Sequence, residues 1–70
     1  DMNIIQGLWI GDTLSRFEYN SIQSYLKQGY EYHLYTYDTV KNVPDGVIIK
    51  DGREILGENE IFYYEHFQEQ

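Results

Sequence analysis

The sequence predicts a small α/β unit of three parallel strands with flanking helices, and three observations carry that expectation. An apolar run, Ile4 to Ile10, ends at Gly11 and opens toward a helix; a helix-start signal follows at Ser15; and an aromatic-rich strand of similar length begins at Tyr30. Strand, helix and strand of matched length joined by short turns make a right-handed parallel crossover. A third short apolar stretch, Val47-Ile48-Ile49, completes the sheet.

In the first strand Ile4, Ile5, Leu8, Trp9 and Ile10 are apolar without strict alternation. A strand covered on both faces of a parallel sheet reads this way. The run is therefore expected to be the central strand, between Tyr30–Tyr37 and Val47–Ile49. Ser15-Arg16-Phe17-Glu18 fits a capping box, with Leu14 and Tyr19 placed for the hydrophobic staple and Gly29 as the left-handed residue that stops the helix. The helix is expected over Arg16 to Gln28, with Phe17, Ser21, Ile22, Tyr25 and Leu26 as its packing stripe. Asp38 to Pro44 reads as an irregular connector or single helical turn, and Asp45-Gly46 as a turn. Asp51-x-x-Glu54 is a second cap, for a short helix around Gly52 to Leu56. Asn59 would cap a last segment, Glu60 to Gln68, whose Phe62, Tyr63, Tyr64 and Phe67 call for a partner surface.

Composition narrows the function classes. A chain of 70 residues that is 41% hydrophobic and 17% aromatic has far too much apolar matter for a disordered segment. At this size only about 60% of the unfolded surface is buried on folding, so stability should be marginal. The net charge is −7, and the five basic residues at positions 16, 27, 41, 50 and 53 form no cluster. Nucleic-acid binding is disfavoured, because it needs a basic face. There is no cysteine, hence no disulfide and no thiolate metal site. Without an 18-residue apolar run or a signal peptide, the chain is expected to be a soluble, cytoplasmic protein with no membrane span. It lacks a cysteine nucleophile, a serine on a strained elbow and either standard phosphate-cradling glycine loop. His33 and His66 are too far apart in sequence to suggest a metal pair, and His33 is expected to be a hydrogen-bonded structural residue of its strand.

Chemistry is expected at the carboxyl ends of the strands, where open α/β sheets bind ligands. Trp9 stands there, and an indole face can stack on a nucleobase for roughly 1–3 kcal/mol. Its competing role is in the core. Ile10 and Gly11 offer backbone that a ligand can approach closely before a helix N-terminus, although such a glycine is also simply a turn. Tyr37 and Asp38 end the next strand, where an acid can meet a ribose hydroxyl or merely form a turn.

The pattern Ile4-Ile5-x-x-Leu8-Trp9-Ile10-Gly11, the helix with Asn20-Ser21-Ile22, and Gly29-Tyr30-Glu31-Tyr32-His33-Leu34-Tyr35-Thr36-Tyr37-Asp38 resemble the amino-terminal βαβ of sugar-nucleotide glycosyltransferases with the Asp-x-Asp sugar-binding signature. These are the family 32 type, capsular-polysaccharide and mannosyltransferase-like. The resemblance implies a Rossmann-like, GT-A-like amino-terminal half, with residues 1–70 as a single partial domain. It implies a nucleotide-sugar-binding fragment of a transferase that moves a sugar to a saccharide acceptor in polysaccharide biosynthesis. Trp9, Ile10, Gly11, Tyr37 and Asp38 would be its nucleotide-binding residues, with Trp9 packing on the base. Asp51 and Arg53 resemble the family's Asp-Ala-Arg-Glu-Ile-Leu-like stretch. Where the family commonly has histidine, this chain has Gln6.

In those enzymes manganese or magnesium neutralises the diphosphate through the Asp-x-Asp carboxylates. No Asp-x-Asp occurs in residues 1–70, and Glu58-Asn59-Glu60 reads as a solvated loop. The fragment is therefore expected to bind nucleotide sugar weakly and to lack catalytic residues, with Mn or Mg entering only if that segment is supplied. The expected partners are the remainder of a larger transferase or further copies of the chain in a homo-oligomer. The competing expectation is a stand-alone, non-catalytic binding or self-assembling α/β module.

Overall fold

The computed structural model describes residues 3–54. Strand β1 (Ile4–Trp9), helix α1 (Arg16–Lys27), strand β2 (Glu31–Thr36), strand β3 (Ile48–Asp51) and a 3-10 turn (Gly52–Glu54) follow in order. All strand pairings are parallel, as the crossover requires. The terminal aromatic segment, Glu60 to Gln68, lies outside the described residues.

The strand order is β1-β2-β3, so β2 and not β1 is central. This corrects the expectation from the apolar run. Ile5 and Trp9 of β1 pack toward the core, whereas the alternate positions Ile4 and Gln6 are exposed. The run is apolar on two sides but covered on one. In β2, Tyr32, Leu34, Tyr35 and Thr36 are all buried, the signature of a strand with neighbours on both edges. Its tyrosines disguised this, because an aromatic body with a polar tip reads as half-buried.

Helix α1 begins where the capping box puts it. The Ser15 hydroxyl accepts from the Glu18 N–H at 3.1 Å, and Gly29 leaves the helix at φ 93°. Replacing Ser15 by alanine is expected to cost about 0.5–2 kcal/mol, and replacing the exposed Asn20 much less. Comparing urea midpoints of the two variants checks this, and equal midpoints would contradict the cap.

The packing stripe of α1 differs from the expected one. Ile22 is fully buried, with Leu14 buried before the cap and Tyr19 and Leu26 packed against the same cluster, whereas Phe17 is 81% exposed. At 100° per residue Tyr19 and Leu26 flank Ile22 at i−3 and i+4, while Phe17 at i−5 lies roughly 140° away. Ile22 and the staple residue Leu14 fix the rotation of the helix, which leaves Phe17 outside.

The core is Leu14, Ile22, Tyr32 and Leu34, joined by Ile5, Trp9 and the connector valines Val40, Val43 and Val47. Gly7 of β1 makes room for it: a Cβ there would stand 2.5 Å from the Tyr32 hydroxyl. A glycine within a strand often marks such a close approach. Burial pushes the Tyr32 phenol above its ordinary value, and the nearby Glu18 charge and Tyr25 add to the effect. The unfolded chain releases this proton near pH 10 and the folded chain only at higher pH. The stability linked to Tyr32 is therefore intact below about pH 10 and lost as pH rises beyond it. Between about pH 8 and pH 11 the urea midpoint of the natural chain should fall further than that of Tyr32→Phe; equal falls would refute the linkage.

Residues 37–47 connect β2 to β3 irregularly, as expected, with a turn at Asp45-Gly46 in which Gly46 has φ 98°. The connector is tied to the loop after β1. Lys41 N–H donates to Asp12 O at 2.8 Å, and Leu14 N–H donates to Lys41 O at 2.9 Å. Asn42, at φ 65°, donates through its side chain to Leu14 O at 3.3 Å.

Candidate functional site

A parallel sheet brings the carboxyl ends of its strands to one edge, and an open cleft lies there. It offers about 630 Å³ between the ends of β2 and β3 and the connector. Thr36, Tyr37, Asp38, Lys50, Asp51 and Arg53 supply its polar lining, with Val40, Val43 and Ile49 on the apolar side.

One corner of the cleft is built by the 3-10 turn. The Asp51 carboxylate accepts from the Arg53 N–H at 2.9 Å, the capping role read from the sequence. That bond turns the chain so that the Arg53 guanidinium lies 5.3 Å from the Tyr37 ring centroid. The guanidinium also donates to Tyr37 O and to the Asp51 carboxylate, each at 3.5 Å. The Tyr37 hydroxyl donates to Gly52 O at 3.3 Å. Gly52 is required at this point, since a Cβ would stand 2.8–2.9 Å from ring atoms of Tyr37. The result is a cation presented on an aromatic platform and braced by a carboxylate, beside the exposed Asp38. Such a corner can receive an anion at Arg53 and a hydroxyl at Asp38.

Of the residues singled out in the sequence, Tyr37 and Asp38 line this cleft, while Trp9, Ile10 and Gly11 do not. Those three lie at the end of the neighbouring strand, where Trp9 pairs with Thr36. Trp9 is half-buried, packs on the core cluster, and donates from Nε1 to Thr13 O at 3.2 Å. Gly11 has φ 130°, and a Cβ there would be 3.5 Å from the indole nitrogen. The indole is thus seated beneath its own loop and retains a partly exposed surface.

Gln6 lies on the opposite side of β1 from Trp9's neighbours in the core and donates to the Tyr35 hydroxyl at 3.4 Å. It is not part of the cleft lining. His33 is bonded through Nε2 to Glu31 Oε2 at 2.5 Å, the hydrogen-bonded structural role expected of it. Among the described residues no three His, Cys, Asp or Glu come together to hold a metal ion. The described residues therefore offer no donor set for the Mn or Mg of the resembled enzymes.

Arg53, Lys50 and Thr36 belong to the cleft without having been singled out from spacing. Their meeting with Tyr37 depends on the register that pairs Thr36 with Asp51. No local pattern encodes that register. The local signals were the Asp51 cap and the resemblance of the stretch that holds Asp51 and Arg53.

Comparisons with known protein families, with curated proteins and with solved structures found no match. Among the described residues no helix is long and apolar enough to cross a membrane.

Proposed function

We propose that the chain is the nucleotide-facing part of a glycosyltransferase-like protein, binding the nucleoside diphosphate portion of a nucleotide sugar at the carboxyl edge of its sheet. The observation that carries this reading is the Tyr37–Arg53–Asp51 corner standing at the same edge as Trp9. Adjacent strands lie 4.7–4.9 Å apart, so the ends of β1 and β3 are separated by roughly 10 Å. That span suits a base at Trp9 with its phosphates reaching Arg53 and its ribose hydroxyls near Asp38. The backbone of Ile10 and Gly11 lies beside the base, and Tyr37 carries the guanidinium. Transfer to a saccharide acceptor, as in polysaccharide biosynthesis, belongs to the same reading, as does a cytoplasmic location. Residues 1–70 alone bind without catalysing.

The resemblance of the Trp9 and Tyr37–Asp38 motifs supports this reading, and so does the ligand position common to open α/β sheets. A second reading, a non-catalytic module that assembles as a homo-oligomer, is favoured by one observation: Ile4 and Ile48 are 41% and 40% exposed.

Titration with uridine or guanosine diphosphate, followed through the emission of the sole tryptophan, tests the proposal. Quenching with a Kd of about 1 mM, or roughly 4 kcal/mol, is expected, because stacking acts without a metal-held diphosphate. Arg53→Ala should weaken binding several-fold while leaving the quench at saturation. Emission unchanged up to tens of millimolar nucleotide would overturn the proposal.

A further inference from the structure

Two aspartates of the chain, Asp45 and Asp51, are followed by glycine. The main-chain nitrogen after an aspartate can attack that residue's side-chain carboxyl carbon, and a glycine, lacking a Cβ, leaves the approach open and the backbone free to turn. The remaining aspartates precede Met2, Thr13 and Thr39, whose side chains obstruct it.

The fold gives the two Asp-Gly steps opposite surroundings. Asp45 and Gly46 are both exposed, in the turn between Pro44 and Val47. Among the described residues no hydrogen bond holds the Asp45 carboxylate or the Gly46 N–H. The bond across the turn, from Val47 N–H to Pro44 O, is 3.4 Å, longer than the usual range for such bonds. Little resists rotation of this turn into the geometry of attack. Asp51, by contrast, ends a strand, paired with Thr36. Its carboxylate accepts from the Arg53 N–H at 2.9 Å and from the guanidinium at 3.5 Å. Gly52 is buried, lies against the Tyr37 ring and accepts at its carbonyl from the Tyr37 hydroxyl. Turning the Gly52 nitrogen onto the Asp51 carboxyl carbon would break these contacts.

We propose that Asp45-Gly46 is a site of spontaneous backbone modification, where aspartate converts to isoaspartate through a succinimide, and that the cleft corner shields Asp51-Gly52 from the same reaction. The Gly46 nitrogen forms a bond to Asp45 Cγ and gives up its proton, and the carboxyl oxygen leaves with that proton as water. Water then adds to one of the two ring carbonyls. Breaking the new bond restores aspartate; breaking the original peptide bond leaves isoaspartate, with the main chain running through Cβ and Cγ and the former peptide carbon as a free carboxylate. No other reactant is consumed, and the mass is unchanged. The product adds one backbone atom between Pro44, which is buried, and Val47, which packs on the core.

Incubating the full chain in mildly acidic buffer and then digesting it with trypsin tests the proposal, because cleavage puts the two sites in separate peptides, 42–50 and 51–53. Chromatography against synthetic isoaspartyl standards reads each one. Isoaspartate is expected to accumulate several-fold faster in 42–50 than in 51–53 while the chain is folded, and the two rates should converge in concentrated urea. Asp45→Glu should abolish the signal in 42–50, since the larger ring closes far more slowly. Absence of isoaspartate from 42–50, equal rates in the folded chain, or a difference that persists unchanged in urea, which would assign it to neighbouring sequence and not to the fold, would each overturn the proposal.

Discussion

Leu34→Ala is expected to leave the chain largely unfolded at room temperature. Leu34 is fully buried at the centre of the central strand, facing Ile22 and Leu14 in the core. Emptying such a site costs about 2–5 kcal/mol, the lost transfer of the side chain plus the cavity it leaves. Domains usually have only about 5–15 kcal/mol of net stability, and one this small belongs at or below the lower end. Ile49, its pairing partner on β3, is 52% exposed, and Ile49→Ala should cost less than about 1 kcal/mol. Urea unfolding followed through Trp9 emission compares the two. Similar midpoints would mean that β2 does not hold the core.

Gly52→Ala is expected to cost about 1–3 kcal/mol and to dismantle the cleft corner as well. The added methyl would overlap Tyr37 ring carbons at 2.8–2.9 Å. Overpacking costs of this size arise when the neighbour cannot yield. Tyr37 is restrained by its hydrogen bond to Gly52 O and by the guanidinium of Arg53. If it moves, it takes the arginine's platform with it. A crystal structure or ring chemical shifts of the variant would show Tyr37 displaced, and thermal unfolding would give the cost. A variant with natural stability and an unmoved Tyr37 would contradict the packing described for this corner.

The local features of the fold were legible in the sequence because their signals are local. The Ser15 cap, the Gly29 stop, the Asp45-Gly46 turn and the Asp51 cap each rest on a few neighbouring residues whose hydrogen bonds or φ angles decide the outcome. Strand order was not legible, since β1 and β2 are both rich in apolar residues and only pairing across residues 37–47 determines which lies between two partners. The rotation of α1 was misread for a related reason. Phe17 fits a helical stripe by spacing, but the buried line is chosen by Leu14 and Ile22, which lock against β2. The candidate site divides the same way. Tyr37 and Asp38 could be found from their place at a strand end, whereas Arg53 joins them only through the Thr36–Asp51 register.

We propose above that the carboxyl edge of the sheet takes a nucleoside diphosphate. Amide and indole chemical shifts of the labelled full chain, recorded during titration with uridine and guanosine diphosphates, test it most directly. Saturable shifts are expected at the Trp9 indole, Gly11, Tyr37, Asp38 and Arg53, with an affinity of about millimolar. Spectra unchanged at tens of millimolar nucleotide, or shifts confined to the outer face of α1 around Asn20 and Ser24, would contradict it.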